Sequence, residues 1–383
     1  MSAARPEEGV SVPGLIAVPI LVAIALAAPA GITAEGETAH LVQAWSEALV
    51  AALALLALAV GLALPHRLGR TLEALAVGGS AVLLGLLLLD RLRDGLVLRV
   101  EGIAAWAVLL LIAAALWRAM DRLSALPARW TFAVLPLLFG GLLVYLWEAL
   151  TVGFRVPAIL LPPPSVILDT FIAEAPTLWV DFEQTFIRSA VPGFLIGCSA
   201  GFLTAVAIDR SPFLQRGLLP LGSLVSAMPI VGIAPIMVMW FGFDWQSKAA
   251  VVVVMTFFPM LVNATAGLQA TGAMERELMR SYAAGYWQTL VKLRLPGAMP
   301  FIFNALKLNA TLALIGAIVA EFFGTPIYGM GFRISTEVAR LNVDKVWATI
   351  AVAAMAGTAS YGLLVLLERR MTFWHPSQRK SDR

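Results

Sequence analysis

The chain has 383 residues, of which 60% are hydrophobic and only 13% charged; 27 Lys and Arg against 24 Asp and Glu leave a formal charge of +3. A water-soluble domain of this length carries about a quarter charged residues, so there is too little polar surface here to coat a soluble globule. The basic residues lie in short loops between apolar runs, not in one patch, which argues against a nucleic-acid partner and for membrane topology signals.

Apolar runs of about twenty residues recur, each long enough to cross a ~30 Å hydrocarbon core as a helix. Within lipid the backbone must satisfy its own hydrogen bonds, which leaves helices or closed barrels. The runs are continuous and do not alternate in period two, so the expected class is all-α, a polytopic helical membrane protein. About ten spans are read by this length criterion. The first four lie near 12–32, 41–64, 72–90 and 100–118 and are rich in Leu and Ala. The first ends in small residues, as a cleaved leader does, but Arg5 is offset by Glu7 and Glu8; without a positive n-region a retained span is expected. A fifth span runs near 130–152. The polar stretch 153–183 follows, and its Leu161-Pro162-Pro163-Pro164-Ser165 reads as an extended connector. The remaining spans fall near 184–208, 217–241, 248–268, 299–323 and 346–367, ahead of a polar tail.

Pro, Gly, Asn, Thr and Met interrupt the apolar runs only from about Trp130 onward, as they do along transport pathways. The expected organisation is an accessory region 1–125, a first core span and outer connector 126–183, a transmembrane core 184–370 holding a loop near 269–298, and a tail 371–383. Most Lys and Arg fall on one side if both termini are cytoplasmic, among them Arg118, Arg122, Arg129, Arg276, Arg280, Lys292, Arg294, Arg369 and Arg370. Cys198 has no partner for a disulfide, and His40, His66 and His375 are too scattered for a metal site.

The loop from Glu275 to Pro296 carries the strongest signal. It reads as two short amphipathic helices ended by Leu295-Pro296, with Leu278, Tyr282, Trp287, Leu290, Val291 and Leu293 awkward to leave in water. Such a segment lies on a membrane surface or enters a groove on a partner. It resembles the coupling loop of importer permeases in the ATP-binding-cassette superfamily. That motif is a Glu-Ala-Ala, a Gly four residues on, and a Leu-Pro ending thirteen residues past the Gly. Here Glu277 and Leu295-Pro296 match, Leu278 and Met279 replace the alanines, and Ala283 replaces the glycine, with Gly285 two residues later. From Leu161 on, the chain resembles permeases of the nitrate, taurine and alkanesulfonate importers. The marks include Leu161-Pro162-Pro163-Pro164-Ser165, Ala227-Met228-Pro229, Trp240-Phe241-Gly242, Leu295-Pro296-Gly297, Val319-Ala320-Glu321 and Gly329-Met330-Gly331.

The resemblance implies a type I importer transmembrane fold with about four extra N-terminal spans, sited in a bacterial inner membrane. It implies a second permease copy, an ATPase that docks on the loop through Glu277, Ala283, Gly285, Leu295 and Pro296, and a periplasmic or lipid-anchored binding protein that delivers a small anionic solute. No lysine follows a glycine, so no phosphate-cradling loop exists and ATP belongs to a separate subunit. No cofactor and no enzymatic activity are expected of this chain.

Lys307, flanked by Asn304 and Asn309, is a pathway candidate because ionisable groups at membrane depth are costly. The alternative is a structural pair with a carboxylate. Asn309 shares that candidacy, and Glu321 suits a structural or gating role, whereas Asp181 and Glu183 precede a span and are expected to be solvated. A secondary transporter is the rival class; it requires intramembrane carboxylates for ion coupling, which are scarce here. A membrane enzyme requires a catalytic cluster that the spans do not offer.

Overall fold

The computed structural model describes residues 21, 22, 24, 31, 32, 38, 39, 70–98, 103–125, 131–211, 213–218, 220, 229–324 and 327–374. The first two expected spans, the start of the seventh and the end of the tail lie almost wholly outside the described residues. The chain divides into two compact units, Met1–Val166 and Ile167–Arg383.

In the first unit, α1 (Arg70–Arg93), α2 (Ile103–Ser124) and α3 (Thr131–Gly153) share one apolar core. Val77, Ala81, Leu84 and Leu88 recur every three or four residues along α1, and Ala104, Val108, Leu111 and Ala115 do so along α2. Each set lies on one helical stripe, and Leu142 and Ala149 of α3 close the core. A two-residue antiparallel ladder, β1 (Gly31–Ile32) with β2 (Thr38–Ala39), is the one departure from helix among the described elements. Near the end of α3 the buried Glu148 pairs with Arg93 at 3.0 Å. Glu148 also accepts the Ser165 N–H at 2.9 Å and the Ser165 hydroxyl at 2.7 Å.

Leu161-Pro162-Pro163 is non-helical, as expected of a connector, but the chain turns helical at Pro164, one residue before the end of the cluster. Residues Pro164–Ala173 form helix α4. The next helix, α5 (Ala175–Arg210), also starts ahead of the expected span. A proline needs no N–H donor in the first helical turn and has the right φ for it, so here Pro164 starts a helix where it was read as breaking one.

The second unit continues with α6 (Ile230–Phe241), α7 (Trp245–Gln269), α8 (Ala273–Ser281), α9 (Tyr286–Glu321), α10 (Met330–Ala339) and α11 (Val343–Met371). Seven described helices, namely α1, α2, α3, α5, α7, α9 and α11, are long and apolar enough to cross a membrane. Each corresponds to one expected span. Leu295-Pro296, expected to end a helix, instead lies within α9. The preceding residues Leu290–Arg294 are wound as a π-helix, whose wider turn removes the clash a proline makes with an α-helical carbonyl.

α7 lies between α5 and α9. Gly193, Gly197 and Gly201, every fourth residue of α5, meet Val252, Thr256 and Met260, every fourth residue of α7. A Cβ on Gly197 would sit 2.1 Å from Thr256 Oγ1 and 2.8 Å from the Val253 carbonyl. Gly267 of α7 meets Phe301 and Ala298 of α9, and Gly316 of α9 meets Met255 of α7. Lipid is as apolar as leucine, so helices associate through close packing of this kind and through hydrogen bonds. Asn309 supplies one such bond: fully buried, it donates to the Thr256 carbonyl at 2.8 Å and touches Cys198 Sγ at 3.2 Å.

Candidate functional site

Two polar junctions mark opposite ends of the α5–α7–α9 core. Arg294 and Glu321 bound the stretch of α9 between them, about 40 Å at 1.5 Å per residue.

At one end lies the expected coupling loop. α8 closes on Tyr282, after which Ala283 takes φ +52°. The Ala283 N–H donates to the Arg280 carbonyl at 2.9 Å and the Ala284 N–H to the Met279 carbonyl at 3.0 Å. This pair of bonds is a Schellman cap, whose left-handed residue is usually glycine. Ala283 holds that position, where the motif that the loop resembles has its glycine. Gly285 then precedes the first turn of α9: its N–H donates to the Gln288 side-chain Oε1 at 3.2 Å, and Thr289 Oγ1 donates to the Gly285 backbone carbonyl at 3.1 Å. Glu277 is exposed. Met274, Leu278, Tyr282, Trp287 and Val291 are also exposed, Met274 by 82% and Tyr282 by 76%. Ala283→Gly is expected to raise stability by about 1 kcal/mol, because glycine adopts this φ without steric cost and the α8 cap is otherwise unchanged. A thermal melt of the purified permease checks it; a lower midpoint would show that the alanine is not strained.

Beneath the loop, Asp209 near the end of α5 accepts two bonds from Arg294, at 2.5 and 2.6 Å. It also accepts the Tyr286 hydroxyl at 3.0 Å. Arg294 Nε donates to the Leu268 carbonyl of α7 at 2.9 Å, and the Arg210 guanidinium lies 5.6 Å from the Tyr286 ring centroid.

At the other end, α10 begins with three backbone N–H groups, each held by a side chain from a different turn. Gly329 donates to Asp181 at 2.8 Å, Met330 to the Thr185 hydroxyl at 2.7 Å and Gly331 to Glu321 at 2.7 Å. Thr185 in turn donates to both Glu321 oxygens, at 2.8 and 2.9 Å. Two carboxylates at a helix N-terminus suit its positive end. Asp181 also pairs with Arg333 at 2.7 Å. Burial on its own would lower the Arg333 pKa, but the bond and charge of Asp181, with Glu337 and Glu174 adding, raise it above its ordinary value. Lys248 of α7, fully buried, donates to the Phe243 carbonyl at 2.6 Å and to that of Gly324, binding the loops before α7 and after α9. Lys345 bonds Glu174 at 2.6 Å and holds the Glu174 carboxyl below its usual range.

The expected pathway residues do not converge. Lys307 pairs with Glu368 of α11 at 2.8 Å, Asn309 packs at the α5–α7–α9 contact, and Glu321 belongs to the α10 junction. Asp181 is not solvated as expected but fully buried, since α10 folds back over it, while Glu183 pairs with Arg188 at the surface. Sequence reading missed Asp209, Thr185 and the burial of Lys248. Asp181 and Thr185 stand four residues apart, hence on one helical face, and that spacing was the available signal.

Residues 193–373 match the family described as the binding-protein-dependent transport system inner membrane component. The chain is 29% identical over 244 residues to the taurine transport system permease protein of Escherichia coli, covering 61% of this chain and 86% of that one. It is 27% identical over 246 residues to the formylaminopyrimidine transport permease protein of Halalkalibacterium halodurans, covering 64% and 98%. It is 27% identical over 250 residues to the riboflavin transport system permease protein of Chloroflexus aurantiacus, covering 65% and 92%. The matched region contains the small-residue contacts of α5 with α7 and both polar junctions except Asp181, Thr185 and Glu174. Over residues 193–373 the chain is thus similar to the inner-membrane permeases of binding-protein-dependent ABC importers.

Proposed function

We propose that α8 and the first turns of α9 form the face on which a separate ATPase subunit docks, and that ATP is bound and hydrolysed there and not in this chain. The supporting observation is that Met274, Leu278, Tyr282, Trp287 and Val291 stay exposed on a loop that is capped at Ala283 and anchored through Arg294. An apolar face on an ordered, polar-anchored helix pair fits a groove on a partner. A second copy of the chain and a solute-binding protein complete the importer, with the loop and both termini cytoplasmic. Residues 1–125 act as an accessory outside the pathway, since the family match begins at residue 193.

The solute is small and polar, taurine and other sulfonates or nitrate being the leading class by resemblance. Lys307, the charged pathway candidate, is engaged by Glu368, which supports selection mainly by the binding protein. A binding screen of that protein against taurine, alkanesulfonates, nitrate, riboflavin and formylaminopyrimidine assigns the solute.

The docking face is tested by substituting Leu278→Asp and Trp287→Asp together. Co-purification of the ATPase is expected to fall at least about tenfold, since hot-spot aromatic residues carry much of an interface's energy. The melting temperature should not change, because both side chains are exposed. Undiminished co-purification would remove the loop from the interface.

A further inference from the structure

We propose that Asp209 is the positioning residue through which movement of the loop is passed to α5, and so to the Asp181 and Thr185 bonds that hold the start of α10. The proposal rests on the loop being the ATPase-docking face, as argued above.

Asp209 lies near the C-terminal end of α5, where the helix dipole disfavours a negative charge and where the adjacent Arg210 is the residue a free helix end prefers. Local preference therefore does not explain an aspartate there, and its partners do. Its two oxygens take a bidentate pair from Arg294 and the Tyr286 hydroxyl, with only 5% of the Asp209 side chain and 13% of that of Arg294 exposed. Charge-assisted, two-pronged bonds of this kind fix orientation as well as distance.

Both donors belong to the start of α9, directly after the loop, and Arg294 reaches on to the Leu268 carbonyl at the end of α7. One carboxylate thus joins the loop to the ends of two core helices. Among the described residues, Asp209–Arg294 is the only ion pair between the segment 273–294 and the rest of the chain. The apolar contacts of Tyr286 and Leu290 with the core carry no directional constraint. A displacement of the loop travels along α9 to Glu321 on its own, whereas its directional hold on α5 is Asp209. From there α5 continues, through a π-helical stretch at Glu183–Ala190, to Thr185 and Asp181, which hold the start of α10.

The experiment uses the full permease reconstituted with its ATPase in lipid nanodiscs. Ile327→Cys, exposed in the segment between α9 and α10, reports on the far end through its rate of reaction with a membrane-impermeant maleimide; Cys198 is buried. In this parent, ATP with orthovanadate is expected to change the labelling rate at least threefold. With Asp209→Asn added, ATP hydrolysis should stay within twofold of the parent while the change in labelling rate falls by at least half, leaving what α9 carries through Glu321. The exchange Asp209→Arg with Arg294→Asp should restore the full change, which a merely structural loss would not allow.

A full labelling response in Asp209→Asn overturns the proposal. So does a response absent from the parent itself, or a loss of hydrolysis that the charge exchange fails to rescue. A separate arm tests the docking face: Tyr282→Cys in the parent background should cross-link to the ATPase. If it does and Asp209→Asn responds normally, only this proposal falls; if it does not, the docking face is wrong and the proposal falls with it.

Discussion

Gly197→Ala is expected to lower the stability of the permease by about 3 kcal/mol, and Gly197→Leu to leave no folded protein in the membrane. Overpacking a well-filled contact costs about 1–3 kcal/mol, and more when the neighbours cannot move. Here neither neighbour can. The first atom the new methyl meets is Thr256 Oγ1 at 2.1 Å, on a β-branched side chain whose hydroxyl donates to the Val252 carbonyl at 2.8 Å. The second is the Val253 carbonyl, which is backbone. Relief requires α5 and α7 to separate, and Gly193 and Gly201, one turn to either side, would lose contact with them. Pairing the change with Thr256→Ala should recover only part of the loss, because the Val253 carbonyl remains. Gly140→Ala in α3 and Gly362→Ala in α11 are the controls: a Cβ there meets nothing within 4 Å, and alanine is the better helix former. Melting curves of the detergent-solubilised permease read all four. A Gly197→Ala protein that melts with its parent would mean that α5 and α7 do not approach as described.

The apolar spans were legible because length and hydropathy together leave a helix no other place to go. Contacts between helices were less so. Gly193, Gly197 and Gly201 stand at a spacing that presents one bare face, yet nothing in α5 alone says which helix covers it. Ala283 could be placed as the substitute for the motif's glycine, but its left-handed φ becomes meaningful only once Tyr282 is known to close α8. Proline misled twice, at Pro164 and Pro296, because the same ring that breaks a helix interior is welcome in a first turn or after a π-turn. The charged residues were hardest. Lys307, in the middle of a span, looked functional and has its partner sixty-one residues on in Glu368. Asp181 looked like a solvated residue ahead of a span, and its partners Gly329 and Arg333 lie about 150 residues away in the sequence. A carboxylate's role at a helix start is set by what folds over it, and local sequence does not contain that.

Asp181→Leu is expected to cost about 3–5 kcal/mol, the range seen when one partner of a buried ion pair is removed. Two groups lose their acceptor at once. The Gly329 N–H is left without a partner, and the Arg333 guanidinium keeps Glu337 at 3.9 Å and the charge of Glu174 but loses its hydrogen-bonded ion pair. Asp181→Asn is the informative intermediate. Its carbonyl oxygen can still accept from Gly329, so the loss should be less than half that of leucine, and the difference measures the ion pair with Arg333. Thr185→Val should fall lower still, at about 1–2 kcal/mol, because it orphans the Met330 N–H while Glu321 keeps its bond to Gly331. The three side chains cap one helix start, so their losses should not add: once Asp181 no longer holds α10, the Thr185 and Glu321 bonds bend with it. Thermal melts of Asp181→Leu, Thr185→Val and the double variant decide this. A double variant whose loss equals the sum of the singles would show that the three contacts act independently and that α10 is not docked as one unit.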